Sequence, residues 1–287
     1  MNRRRALEAG LLALPAAAAL AQGPAVPRRS LRFGTTPVFL DDQLGFLARW
    51  AAYLSNSVGV PIDFVSRRSY RDIMVLLRSQ ELDLAWICGF PWVVNRAELR
   101  GLSIPLYLGQ PLYQSYLIVP AADTGTTSLP DLRGKVFAYS DPDSNSGWLV
   151  PRSALLSSGI DPDRHFARSF YTWGHRNVVQ AVASGLAQGG AVDGYVWDTL
   201  QRVAPALVAR TRVAWRSQSY AFPPLAVRAS LDEATEQALR RALVGMTDDG
   251  VGQRLLGELN LSAFGSFDER AFDGIAKLAA LAGVRGA

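Results

Sequence analysis

The sequence predicts an α/β protein of two lobes, each a mostly parallel sheet flanked by helices, hinged through two crossover strands. Short β-like runs alternate with stretches of helical spacing along most of the chain, the rhythm of strand–helix units. The alternation forms two series, separated by extended segments that carry Pro120 and Pro223-Pro224. Setting aside an export signal of 21 residues leaves 266 of 287, a length that suits two cores better than one.

Taken in order, residues 31–33 form a first strand that ends at Gly34, and Leu44, Leu47, Ala48, Ala51 and Leu54 then recur at helical spacing. Residues 62–65 read as a second strand, 70–77 as a second helix and 82–87 as a buried third strand. Residues 115–119 close this series, with Pro120 as the breaker. After the polar loop 123–128 come a strand at 135–139, a helix at 148–157 and a strand at 169–171. A helix at 177–184, a short buried strand at 191–192 and a helix from Val196 complete the second series. Tyr220-Ala221-Phe222-Pro223-Pro224 is a stiff extended crossing, because each proline fixes its own φ and restricts its predecessor. A strand at 225–227 and helices at 232–246 and 269–281 follow. The expected first lobe is 30–118 with 226–287, and 120–222 is the inserted second lobe.

Residues 1–21 carry the three parts of an export signal. Arg3, Arg4 and Arg5 form the basic region, residues 9–20 the apolar run, and Ala19-Leu20-Ala21 the small-x-small site before Gln22. Either a twin-arginine or an ordinary secretory route fits, and a frayed N-terminal helix is the blander alternative. The formal charge of +5 falls to +3 once the signal's three Arg and one Glu are set aside, and the remaining charges are dispersed. That distribution argues against nucleic-acid binding. Cys88, the only cysteine, allows no intramolecular disulfide and reads as a small buried hydrophobe. Two histidines and one cysteine, scattered, give no metal site, and no nucleophile elbow, phosphate loop or paired-carboxylate signature points to catalysis or a cofactor. A monomer is expected.

The richest stretch is the turn after the strand at 135–139, where Asp141-Pro142-Asp143-Ser144-Asn145-Ser146-Gly147 leads into a helix starting near Ser146 or Gly147. Free N–H groups and the positive dipole end there favour an anion, with Ser144 and Ser146 as hydroxyl donors. Plain N-capping is the competing reading. His175 opens the next helix after a strand and is able to donate a ring N–H, or simply to cap, whereas His165 falls in an exposed turn. Asp198 follows a buried strand and is able to accept from an oxyanion's own P–OH; a helix-cap role is equally open. From the first lobe, Thr35-Thr36-Pro37, Tyr70 and Phe90-Pro91-Trp92 follow strands one to three and are candidates for donors or for aromatic walls, against a core role.

These residues, in this order, resemble the phosphate/phosphite/phosphonate-binding proteins of ABC importers over nearly the whole length past the signal. The matching features are Phe33-Gly34-Thr35-Thr36-Pro37, Tyr70-Arg71-Asp72, residues 131–138, the serine turn at 141–147, His175 and Asp198. The resemblance implies a type II-like periplasmic binding protein that holds a small oxyanion between its lobes and delivers it to an ABC permease at the inner membrane. It carries ligand contact to Ser144, Ser146, His175, Asp198 and Tyr70. Two departures stand out: Asn145 replaces a small hydroxyl residue, and Cys88-Gly89-Phe90-Pro91-Trp92 replaces a Gly-Pro loop followed by a tyrosine. The alternative function is a periplasmic sensory domain that signals to a membrane partner, and a neighbouring gene for a permease rather than a kinase would separate the two.

Overall fold

The computed structural model describes residues 29–36 and 44–284. The expected export signal and Pro37 lie outside them. Along the first part of the chain run β1 (Leu31–Thr35), α1 (Leu44–Val58), β2 (Ile62–Ser66), α2 (Tyr70–Arg78), β3 (Leu84–Trp86), α3 (Gly89–Asn95) and β4 (Leu99–Leu106). Next come β5 (Leu112–Tyr113), β6 (Ser115–Pro120), β7 (Val136–Tyr139), α4 (Val150–Ser157), α5 (Pro162–His165), β8 (Arg168–Tyr171), α6 (His175–Ala183), β9 (Gly189–Asp193) and α7 (Gly194–Val203). The remainder comprises α8 (Pro205–Val208), β10 (Thr211–Arg216), β11 (Tyr220–Ala221), β12 (Leu225–Arg228), α9 (Glu233–Val244), α10 (Gly250–Glu258), β13 (Ala263–Gly265) and α11 (Asp273–Leu281).

Two sheets organise the two lobes. The first has the order β13-β4-β12-β3-β1-β2 and the second β10-β6-β9-β7-β8. β1 is parallel to β2 and β3, and β7 is parallel to β8 and β9. The sheets are nevertheless mixed, not mostly parallel. β12 runs antiparallel to β3 and β4, and β6 antiparallel to β9 and β10. Both are strands by which the chain enters a sheet from a crossing, so each arrives against the direction of its parallel neighbours.

The crossings form a separate two-stranded ribbon. β5 pairs antiparallel with β11, Tyr113 opposite Tyr220 and Leu112 opposite Ala221, and the Phe222 N–H donates to Pro111 O at 2.9 Å. The crossing at 220–224 lies where the prolines put it. The other does not lie near Pro120, because that residue ends β6 inside the second sheet, opposite Thr211. β6 reads as a crossing in sequence because it is an apolar run with a terminal proline, yet it is a buried strand. α3, β4, β10 and α10 are additional to the elements expected from the sequence, as is β13, which returns to the first sheet.

The first core gathers around Trp50 of α1, which is fully buried. Its ring meets Phe33, Phe46, Phe64, Trp86 and the C-terminal Phe264, at centroid distances of 5.2–6.2 Å. Gly34 keeps this packing close, since a Cβ there would lie 2.5 Å from Leu82 Cδ1. The second core centres on Phe137, stacked on Phe166 at 4.3 Å. His165 is buried rather than exposed, with Nε2 3.1 Å from Leu129 O, because its turn folds back under that core. Trp50→Ala removes the ring that ties β1, β2, β3 and β13 together. It is expected to cost about 3–5 kcal/mol, read as a lowered midpoint in guanidinium unfolding; an unchanged midpoint would contradict this account of the core.

Candidate ligand-binding site

The turn after β7 is wound by its own polar side chains. Asp141 Oδ1 accepts from the Asp143 N–H at 2.8 Å, and Asp141 O from the Ser144 N–H at 3.0 Å. Ser144 is the cap: its Oγ accepts from the Gly147 N–H at 3.0 Å. The next turn, Asn145–Leu149, is π-helical, with the Leu149 N–H reaching Ser144 O at 3.0 Å before α4 begins. Such wide turns concentrate at functional sites, since they re-aim the side chains around them. Gly147 has no substitute here, because a Cβ would fall 1.8 Å from Ser140 Oγ.

Ser144, Asn145 and Ser146 are all fully buried because the first lobe covers them. The N–H of Tyr70, at the start of α2, donates to Asp141 Oδ2 at 3.1 Å. Arg71 grips the Asp143 carboxylate with two bonds of 3.1 and 3.2 Å. The Asn145 N–H donates to Cys88 Sγ at 3.2 Å, and Phe90 stacks on Trp148 at 6.0 Å. The two lobes are thus closed on each other along one seam.

At its centre, His175 Nδ1 accepts from the Asp193 N–H at 3.0 Å. That bond consumes the Nδ1 lone pair and leaves the ring proton on Nε2. Burial holds the imidazole down to a pKa of about 3, so it is neutral. Nε2 lies 3.1 Å from Tyr70 Oη across the seam, so the imidazole donates and the phenol accepts. Tyr70 then keeps its own proton, and burial, first of several causes, raises its pKa well above 10. Ser146 Oγ is buried with no hydrogen-bond partner among the described residues. Unspent hydroxyl protons from both lobes, in a seam that buries no Lys or Arg side chain among the described residues, suit an acceptor-rich ligand held by neutral donors.

A family described as "ABC transporter, phosphonate, periplasmic substrate-binding protein" matches residues 33–272. The chain belongs to this family. Among curated proteins this binding protein is 28% identical over 180 residues to the phosphate-import protein PhnD of Mycolicibacterium smegmatis. It is 22% identical over 175 residues to the probable ABC transporter phosphite binding protein PhnD1 of Prochlorococcus marinus. The matched stretch spans 58% of this chain, and 56% and 59% of those relatives. Among solved structures, methylphosphonate-bound PhnD1 of Prochlorococcus marinus superposes with a TM-score of 0.81 at 18% identity, covering 89% of this chain and 98% of that one. A binding component of an ABC phosphonate transporter from Pseudomonas aeruginosa gives 0.80 at 23%, covering 87% and 85%. At these identities the structures establish the fold: two lobes of the periplasmic binding-protein type.

Not every residue expected at the site is gathered there. Asp198 is half-buried, and its Oδ2 accepts from the hydroxyls of Tyr107 at 2.9 Å and Tyr116 at 3.1 Å. It lies more than a turn into α7, too far along the helix to share the N-terminal position beside His175. Asp193 occupies that position, at the carboxyl end of β9, where the end of the buried strand was its sequence signal. Its Oδ1 caps α7 through the Tyr195 N–H at 2.9 Å, and burial pushes its pKa up to about 8. Thr35 and Thr36 are buried but engaged within the first lobe, Thr35 with Ser66 Oγ at 2.8 Å and Thr36 with Trp86 O at 3.4 Å. Trp92 turns into the core against Phe267 at 4.8 Å and Phe272 at 6.1 Å, since α3 aims it inward. Cys88 and Tyr113 join the seam unannounced. The Tyr113 hydroxyl accepts from Asn145 Nδ2 at 2.9 Å.

The two shifted groups have opposite pH signatures. His175 contributes stability that is present above its unfolded pKa of 6.5 and lost as pH falls toward about 3. Asp193 contributes stability that is present below 3.8 and lost as pH rises through about 8. Melting temperatures of ligand-free protein should separate them. The difference His175→Asn minus wild type is expected to grow as pH falls below about 6.5, and Asp193→Asn minus wild type to grow as pH rises toward about 8. Differences that stay flat across both windows would refute these assignments.

Proposed function

We propose that this protein binds a small phosphorus oxyanion (phosphate, phosphite or a phosphonate) in the interlobe cleft, in the periplasm, and delivers it to an ABC permease for import. The observation that carries this reading is the meeting of unspent donors from opposite lobes, Ser146 Oγ and the Tyr70 hydroxyl, in a fully buried seam. An oxyanion supplies the acceptors those hydroxyls lack, and a buried donor left unpaired costs about 1–3 kcal/mol. The two curated relatives, a phosphate-import protein and a probable ABC transporter phosphite binding protein, point the same way.

In this reading Ser146, Tyr70 and, through its remaining proton, Ser144 donate to the ligand. His175 donates to Tyr70 and orients its hydroxyl. Asp193 takes the part first given to Asp198. A carboxylate accepts from a P–OH, and one whose pKa is raised toward neutrality is also able to donate to an ionised oxygen. The lobes are taken as the units built on the two sheets, with the β5–β11 ribbon as the hinge about which the cleft closes.

Calorimetry with phosphate, phosphite, methylphosphonate and sulfate tests the assignment. Ser146→Ala is expected to weaken the preferred phosphorus oxyanion by about ten- to a hundredfold, which corresponds to roughly 1.5–3 kcal/mol for a donor to a charged group. Asp193→Asn should weaken protonated phosphorus oxyanions more than sulfate, narrowing the discrimination between them. Wild-type affinity in both variants would place the site elsewhere.

A further inference from the structure

Away from the serine turn the lobes meet a second time, along one face of α7. Tyr195, Asp198, Thr199 and Arg202 recur at the three- and four-residue spacing that aligns side chains on a helix, and each reaches the first lobe. The Tyr195 hydroxyl donates to Leu259 O. Asp198 Oδ2 accepts from Tyr107, just past β4, at 2.9 Å. Thr199 Oγ1 accepts from Asn260 Nδ2 at 3.0 Å, and Arg202 Nη1 donates to Asn260 Oδ1. The contact flanks the hinge, for the Tyr195 ring packs edge-on against Tyr107 at 5.3 Å and against Phe222 of the crossing at 5.1 Å.

The amide of Asn260 is not needed by its own backbone. The residue follows α10 in the left-handed region, with φ 56°, and caps that helix. Its N–H donates to Gly257 O at 3.1 Å, and that of Leu261 to Leu256 O at 2.9 Å. Glycine is the usual residue in such a cap, with asparagine second. Here both ends of the amide are engaged by the other lobe. Thr199, having accepted from Asn260, gives its proton to the Tyr195 oxygen, and Tyr195 gives its own to Leu259 O. Arg202 lies about 10 Å along α7 from Tyr195. A rotation of the lobe that spares one of these arms therefore pulls the other beyond hydrogen-bonding range.

We propose that the α7–Asn260 contact is a latch that holds part of the ligand-free protein closed, and that it sets capture affinity from outside the pocket. The proposal rests on the hinged-capture reading above, but not on which oxyanion is held. A contact made only in the closed arrangement raises the fraction of protein ready to hold a ligand, and apparent affinity scales with that fraction. Asn260 is thus a positioning residue. Its effect is the same for every ligand, since it acts through closure alone.

Calorimetry with inorganic phosphate and with methylphosphonate, together with small-angle scattering of ligand-free protein, tests this on Asn260→Gly and Thr199→Val. Asn260→Gly keeps the left-handed cap and deletes only the amide. It is expected to weaken both ligands by one common factor, about three- to tenfold, and to enlarge the ligand-free radius of gyration. Thr199→Val removes the hydroxyl at nearly constant shape; it is expected to act in the same direction, and it stands in should Asn260→Gly not fold. Ser146→Ala, in contrast, is expected to weaken binding and leave the ligand-free scattering curve unchanged. Wild-type affinity in the latch variants, or a loss confined to one ligand, overturns the proposal. A lowered unfolding midpoint with unchanged affinity does so too, because Asn260 then serves the fold alone. If neither probe binds the wild type, the oxyanion reading fails while the latch is still decided by scattering: identical curves for ligand-free wild type and Asn260→Gly refute it whichever ligand is right.

Discussion

The hydrogen bond from the Asp193 N–H to His175 Nδ1 sets the chemistry of the seam. It assigns the imidazole one tautomer, and that tautomer turns Nε2 into a donor aimed at Tyr70. Without it the ring proton would be free to sit on Nδ1, and Tyr70 would have to spend its own proton on His175. The bond exists because β9 and α6 bring the end of a buried strand against the start of a helix, each at the cleft-facing end of the second sheet. The donor set of the seam therefore depends on a backbone contact, from the Asp193 N–H to His175 Nδ1.

Around that bond the seam is built from neutral donors and buried acids, without a buried lysine or arginine among the described residues. A buried cation would hold any anion strongly and would be costly to desolvate in its absence, whereas neutral hydroxyls reward only a ligand whose oxygens meet them in number and direction. Closure supplies the dry surroundings in which such bonds count most. The links outside the pocket, Arg71 with Asp143 and Tyr70 N–H with Asp141, join the lobes without touching the turn's free hydroxyl.

Much of this was legible in the sequence where local chemistry and position coincide. The serine turn announced itself because Ser-Asn-Ser-Gly follows a strand and opens a helix, and His175 and Tyr70 do so because each stands at a helix start behind a strand. Asp193 and Asp198 both follow the same buried run, and only the register of β9 against β6 and β7 shows that Asp193 is the one that ends the strand. Tyr113 had no signal: a two-residue strand has no periodicity, and its partner lies more than a hundred residues away. Trp92 looked like a cleft aromatic because the short helix that turns it inward contains Pro91, which reads as a loop. Pro120 looked like a hinge, for a strand and a crossing are both extended.

A crystal structure of the protein grown with methylphosphonate tests the central claim most directly. The account predicts the phosphonate within the seam, its oxygens within about 2.5–3.0 Å of Ser146 Oγ and Tyr70 Oη, with residues of both lobes around it and His175 Nε2 still donating to Tyr70. A phosphonate bound outside the seam, or one held by a single lobe without Ser146 or Tyr70, would contradict it.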